Sequence, residues 1–190
     1  MTTRIFAIHG AYSTPRIFNY LKYKLGDEYS WTFLNYQVQI DDLEKIIKSV
    51  SDLKEPHHII GHSMGGLIGL KLIDKSWVDS ITTISTPLGG IDISIMQRYL
   101  SRSSFLNDIA DYSEFIRSIK QTKTSKPIQH LISTTGFNPF ILENSDGVIT
   151  LRSQQSNTLG PIYKIPATHI GIMLSDKIRD LLVNFWTSIL

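Results

Sequence analysis

The sequence predicts an α/β protein, a mainly parallel sheet of about six strands with helices on both faces. Three observations carry that reading. Short apolar runs such as Ile5-Phe6-Ala7-Ile8 and His57-His58-Ile59-Ile60 alternate along the chain with segments whose apolar residues recur at helical spacing. The runs are continuous rather than alternating with polar residues, as strands covered on both faces should be. Nothing repeats or reads as a linker, and 190 residues suit one domain, 1–190, with a single sizeable core.

Taken in order, Ile5 to Ile8 is the first strand, ending in the loop His9-Gly10-Ala11-Tyr12-Ser13. Pro15 suits the first turn of a helix in which Ile17, Phe18, Tyr20, Leu21 and Leu25 keep helical spacing, and Gly26-Asp27 stops it. Trp31 to Tyr36 is aromatic and β-prone, a second strand. Asp41 or Asp42 caps a helix whose Leu43, Ile46, Ile47 and Val50 share a face, and Pro56 separates it from the strand His57 to Ile60. The stretch Gly61-His62-Ser63-Met64-Gly65-Gly66 follows, leading into a helix from Leu67 to Ile73. Val78 to Ser85 is the fourth strand, with the loop Thr86-Pro87-Leu88-Gly89-Gly90 at its end.

Residues 91–126 form a helical excursion. Phe105, Ile109, Tyr112, Ile116 and Ile119 fit one helical face, while Ser101 to Ser104 and Thr122 to Ser125 read as breaks. The excursion is expected to pack on the sheet, with a small lid as the alternative. Pro127 to Ser133 returns as a strand, the loop Thr134 to Asp146 follows, and Ile162 to Ile165 is a last short strand. Pro166 to His169 is its exit loop. The segment Ile170 to Leu190 closes the chain as a helix, with Ile178, Leu181, Leu182 and Phe185 facing inward.

Composition narrows the function classes. Hydrophobic residues at 42% and charged residues at 19% describe an ordinary globular chain, and a net charge of +2 gives no argument for nucleic acid or an anionic membrane. With no cysteine there is no disulfide, thiol nucleophile or Cys-ligated zinc. The apolar run after Arg4 is too short for a signal-peptide core, and none approaches the ~20 residues of a membrane span, so a cytoplasmic protein is expected. His58 and His62 are four apart but lie on a strand and turn, so no metal site is expected.

The chemistry centres on Ser63. A strand, a sharp Gly-x-Ser-x-Gly turn and a helix form an elbow that lifts a serine hydroxyl clear of the sheet. Gly61 and Gly65 flank it because strand and helix pass too closely for a Cβ on either. The bland readings are an ordinary glycine turn or a phosphate cradle at a helix N-terminus. The second lacks the Gly-Lys-Ser/Thr ending of a P-loop. A serine hydroxyl needs an imidazole to take its proton and a carboxylate to orient that imidazole.

His169 is the best of the six histidines, because it lies in a loop after the last strand. His57, His58 and His130 are in strands, His62 is fixed in the turn, and His9 suits a structural hydrogen-bonding role. Asp146, in the turn Asn144-Ser145-Asp146-Gly147, is the carboxylate of choice, with Glu143 as its rival. Asp92 and Asp111 belong to the excursion. The oxyanion donors are expected at the N–H of Met64, directly after the serine, and of Ala11, with Tyr12 as the alternative.

With these pieces in view, the chain resembles the α/β-hydrolases, and among them the compact lipases and esterases. The matching segments are Ile8-His9-Gly10-Ala11, Ile60 to Gly66, Ile84 to Gly90, Ser145-Asp146-Gly147-Val148 and Thr168-His169. The resemblance implies an α/β-hydrolase fold of six core strands, a Ser-His-Asp triad of Ser63, His169 and Asp146, oxyanion donors at Met64 and Ala11, and no cofactor. It departs in lacking the two edge strands of larger relatives and in having a short excursion for a lid. The expected activity is hydrolysis of a small-molecule ester or lipid. Tyr12, Leu88, Phe137, Phe140, Ile141, Ile170 and Met173 are the expected walls of the acyl pocket, since they neighbour the site loops. An acyltransferase or thioesterase with the same triad, and a binding protein with a dead site, are the alternatives.

Overall fold

The computed structural model describes residues 2–37, 42–93, 105–156 and 159–189. Its centre is one six-stranded sheet, all parallel, formed by β1 (Thr3–Ile8), β2 (Tyr29–Leu34), β3 (His57–His62), β4 (Val78–Ile84), β5 (Ile128–Ser133) and β6 (Ile162–Ile165). The strand order is β2-β1-β3-β4-β5-β6. Every crossover returns to the same end, so all six strand exits face the same edge. There a doubly covered parallel sheet places its ligand sites.

The two faces can be read from alternate residues of β1. Ile5 and Ala7 pack with Phe18, Leu21 and Leu25 of the first helical segment and with Ile178, Leu182 and Trp186 of the last helix. Phe6 and Ile8 point the other way, into a core with Leu43, Ile46, Leu67, Leu70 and Ile116. The two-residue period of a strand thus feeds two cores. Helix α1 (Asn19–Leu25) is entered through a tight 3-10 turn, Pro15–Phe18, and ends at Gly26 with φ of 83°. The last helix of the chain, α7 (Asp176–Ile189), packs on the same face. Helix α2 (Leu43–Ser49) and helix α3 (Met64–Lys71) cover the other. Asp42 caps α2, its carboxylate accepting the Lys45 N–H at 2.8 Å, while Asp41 lies outside the described residues.

Several elements depart from expectation. The excursion does not present one helical face: its described part holds two short helices, α4 (Phe105–Asp108) and α5 (Glu114–Lys120). Ser113 is the reason. Its hydroxyl accepts the Ile116 N–H at 3.1 Å and donates to the Asp108 carbonyl at 2.6 Å, starting a new helix instead of continuing the old one. Tyr112 is consequently exposed. The expected breaks at Ser101 to Ser104 lie outside the described residues, whereas Thr122 to Ser125 does follow α5 as non-helical chain. A four-residue helix, α6 (Leu151–Gln154), had no counterpart in the sequence reading. The closing helix begins late, after a separate 3-10 turn at Gly171–Leu174, and buries Trp186 beside Ile178 and Leu182, with Leu181 and Phe185 only partly buried.

Candidate active site

Ser63 sits between β3 and α3 with φ of 54° and ψ of −125°, a left-handed conformation that few side-chain-bearing residues adopt. The chain tolerates it because the flanking positions are glycine. A Cβ on Gly61 would come 2.5 Å from the carbonyl oxygen of Gly65, and one on Gly65 would collide with the Ile8 carbonyl of β1. The strain keeps the serine side chain half-exposed above a turn in which its neighbours are buried.

Two loops bring partners to it. His169 leaves the segment after β6, and Asp146 stands in the turn that precedes α6. Nε2 of His169 lies 3.1 Å from Oγ of Ser63, and Nδ1 lies 2.8 Å from Oδ2 of Asp146. A carboxylate only accepts, so Nδ1 carries the proton, and Nε2 of the neutral ring is left to accept from the serine hydroxyl. Main-chain bonds fix the arrangement: the His169 N–H donates to the Asp146 carbonyl at 3.0 Å, and the imidazole of His62 donates from Nε2 to the His169 carbonyl at 2.9 Å. Burial pushes His62 down to about 3, so it stays neutral.

Asp146 is buried and surrounded by donors. Oδ1 accepts the N–H groups of Val148 at 2.9 Å and Ile149 at 2.7 Å. Oδ2 accepts the Ser133 hydroxyl and, at 3.2 Å, the amide of Gln154, in addition to His169. Burial alone would raise this carboxyl, but the hydrogen bonds from His169, Ile149 and Ser133 outweigh it and hold the group below the usual carboxylate range.

Beside Ser63 opens a cavity of about 260 Å³ lined by Ala11, Tyr12, Met64, Pro87, Ile91, Phe105, Ile109, Asn138, Val148 and Ile149. Met64 opens α3, so its N–H is among the first-turn amides that find no partner within the helix. Tyr12, with φ of 54°, meets Phe105 edge to face at 5.6 Å. Of the residues expected to wall the pocket, Tyr12 lines this cavity. Leu88 and Met173 are buried, one in each of the two cores. Phe137 and Ile170 are largely exposed, and Phe140 and Ile141 line a neighbouring cleft with Glu143 and Arg152. Ile91, Phe105, Ile109, Val148 and Ile149 take those places. Val148 and Ile149 carried a signal, since they are apolar and follow Asp146 within three residues.

The other sequence candidates are placed elsewhere. Glu143 is paired with Arg152 at 3.0 Å, and Asp92 and Asp111 are exposed. His9 is buried, with Nδ1 2.8 Å from the Gly10 carbonyl and its ring stacked on Tyr36 at 4.2 Å. Among the described residues no group of three His, Asp or Glu side chains is placed to hold a metal, and no helix is long and apolar enough to cross a membrane.

Solved structures with the same arrangement of strands and helices decide the fold. The chain superposes on the mature lipase BlEst2 of Bacillus licheniformis with a TM-score of 0.73, at 12% identity, over 96% of this chain and 91% of that one. The protein has the α/β-hydrolase fold. Other solved members of this fold match over comparable spans. The putative non-heme bromoperoxidase BpoC of Mycobacterium tuberculosis gives a TM-score of 0.69 at 12% identity, covering 100% of this chain and 94% of that one. The thioesterase RedJ of the Streptomyces coelicolor prodiginine pathway gives 0.59 at 14% identity, covering 100% and 91%. No family model matches the sequence, and no curated protein matches it. In this sheet Ser63 follows the third strand of the chain, Asp146 comes after the fifth and His169 after the sixth.

Proposed function

We propose that this protein is a serine carboxylic-ester hydrolase working through an acyl-enzyme, with residues 1–190 acting as one domain. The observation that carries the reading is the His169 imidazole spanning Ser63 Oγ at 3.1 Å and Asp146 Oδ2 at 2.8 Å over a strained serine beside an apolar cavity. Ser63 Oγ attacks the ester carbonyl while its proton passes to His169 Nε2. The N–H groups of Met64 and Ala11, both at the cavity, take the developing oxyanion. The C–O bond breaks as His169 returns the proton to the leaving alkoxide. A water then attacks the acyl-Ser63 carbonyl, gives its proton to His169, and the acid departs as Ser63 recovers its hydrogen. Asp146 stays ionised throughout and steadies the imidazolium.

The cavity falls just under the ~300–1,000 Å³ typical of drug-sized ligand sites, which favours short or medium acyl chains. Ile91, Phe105 and Ile109, from the described part of the excursion, belong to its wall. The test compares wild type with Ser63→Ala on p-nitrophenyl acetate through decanoate, and follows labelling by a fluorophosphonate. Turnover and labelling confined to wild type are expected; equal rates in both proteins end the proposal. Products analysed with and without an added alcohol or thiol acceptor separate hydrolysis from acyl transfer.

A further inference from the structure

We propose that Ser133 and Gln154 are positioning residues of this site, locking the Asp146 carboxylate in the orientation that serves His169 and drawing charge from the oxygen His169 uses. The inference rests on the reading of Ser63, His169 and Asp146 as the reacting group. It starts from α6, the helix that the sequence pattern did not announce. Thr150 caps it, accepting the Ser153 N–H at 3.1 Å, and Ser153 ties it to the loop after β4 through its hydroxyl to the Gly90 carbonyl at 2.6 Å. Gln154, at its end, has no exposed surface.

The Gln154 amide is held at both ends by the last residue of β5. Its Oε1 accepts the Ser133 N–H at 3.1 Å and its Nε2 donates to the Ser133 carbonyl at 3.0 Å. That pairing uses one of the two amide hydrogens and fixes the plane of the group, so the second is aimed at Asp146 Oδ2, 3.2 Å away. The Ser133 hydroxyl reaches the same oxygen. Ser133 has one hydroxyl proton, and a carboxylate cannot return one, so the Ser85 hydroxyl, 2.7 Å from Ser133 Oγ, must donate to Ser133. The direction of every bond is therefore fixed: Ser85 to Ser133 to Asp146, with Gln154 and His169 donating to the same oxygen. Ser85, Ser133, Gln154 and Asp146 are each at most 1% exposed, so bulk water has no access with which to replace a lost donor. Ser85 itself keeps φ of 48°, an unusual conformation for a serine.

Two effects on the chemistry follow. The carboxylate cannot rotate away from His169 without giving up donors that solvent is unable to supply. Each donor also withdraws charge from Oδ2, the oxygen that faces the His169 imidazole. Removing a donor leaves more charge facing His169, which raises the pH at which the ring protonates.

The experiment uses the full chain and reads the rate of fluorophosphonate labelling at Ser63 against pH, alongside kcat/KM on a p-nitrophenyl ester, for wild type, Ser133→Ala and Gln154→Met. Ser133→Ala removes the hydroxyl alone and leaves the backbone pairing with Gln154 intact, so it stays informative if Gln154→Met does not fold. The expected result is an acidic limb moved up by about half a pH unit or more, with kcat reduced about tenfold and KM little changed. The ring Nδ1–H proton resonance of His169 should shift with it. An acidic limb and resonance unchanged in Ser133→Ala, with wild type labelling normally, overturn this inference and leave the proposed function standing. Failure of wild type to label removes the proposed function itself.

Discussion

Replacing Asp146 by asparagine changes one atom and should cost more than its size suggests. The asparagine must keep its oxygen on the Val148 and Ile149 N–H groups, because backbone amides have no means of reversing. Its NH₂ then occupies the place of Oδ2, facing His169, Ser133 and Gln154, all three of which donate there in the native protein. Ser133 is able to turn its hydroxyl and His169 to move its proton to Nε2. Gln154 has no such freedom, since Ser133 N–H and C=O hold its amide. One buried donor is left facing another, with only the distant Ile149 carbonyl at 3.5 Å to take it up, for about 1–3 kcal/mol of stability.

The larger effect is on rate. With the proton on Nε2, His169 points a donor at the Ser63 hydroxyl and has no lone pair to accept its proton. Loss of the correct tautomer in a serine triad lowers turnover about 10,000-fold, which is ~5 kcal/mol of barrier at ~1.4 kcal/mol per decade. The assay is kcat/KM on a p-nitrophenyl ester with urea unfolding run in parallel, using Glu143→Gln as the control because Glu143 is engaged with Arg152 instead. The control should stay within about twofold, given the small worth of a surface ion pair. An Asp146→Asn protein that is folded and within tenfold of wild type would refute the assignment of the acid.

Burial lowers His130 from 6.5 to about 4, so below pH 6.5 the unfolded chain takes up a proton that the folded protein refuses. Stability is full above that pH and falls on the way to pH 4; roughly 2 kcal/mol should be lost between pH 7 and 4.5. Urea midpoints across that range should show a shallower slope for His130→Gln. Gly65→Ala would push a Cβ into the β1 backbone at Ile8 and His9, with no flexible side chain to yield. It should give insoluble protein, or soluble protein without fluorophosphonate labelling. Ile109→Ala, at a buried position of the cavity wall, should cost about 2–5 kcal/mol in thermal or urea unfolding and move the preferred ester toward longer chains.

The order of elements was legible because the central strands are covered on both faces. Ile5, Ile8, Ile59, Ile60 and Ile81 are all without exposed surface, and such strands print unbroken apolar runs in the sequence. Ser63, Asp146 and His169 stood out as a group because each falls in a turn or loop after a predicted strand, in the order serine, acid, imidazole. The supports of Asp146 were not legible. Ser133 reads as one more strand residue, and Gln154 lies in a helix of four residues, too short for any periodicity. The cavity wall was hidden for another reason. Neighbours in sequence, Leu88 and Met173, turn inward, while Ile91 and Ile109 arrive through a backbone bond from the Ile91 N–H to the Ile109 carbonyl at 2.9 Å. How an excursion folds back is decided by tertiary packing, which local patterns do not encode. Tyr112 shows the same limit: it fits the helical spacing, but the Ser113 cap turns it out to solvent.

The strand order also explains why Asp146 and His169 need so many supports. Ser63 leaves β3, and β1 and β4 flank that strand, so the loops carrying Ala11 and Pro87 reach the cavity directly. Strand β6 is three positions from β3 in the sheet, roughly 14 Å at ~4.8 Å per strand. His169 therefore has to be brought back across β4 and β5 on a loop, and a loop at a sheet edge is free to wander unless it is tied. The ties lie where that reach demands them. The imidazole of His62, next to Ser63 in sequence, holds the His169 carbonyl, and the His169 N–H holds the Asp146 carbonyl. Ser133, at the exit of the intervening strand β5, holds the Asp146 side chain. Each strand between serine and imidazole thus contributes an anchor, Ser85 directly after β4 and Ser133 from β5, and the row of hydrogen bonds runs along the sheet edge in the direction the loops must span. This lateral chain accounts for how His169 stays 3.1 Å from Ser63 and Asp146 stays 2.8 Å from His169, although both arrive on distant loops.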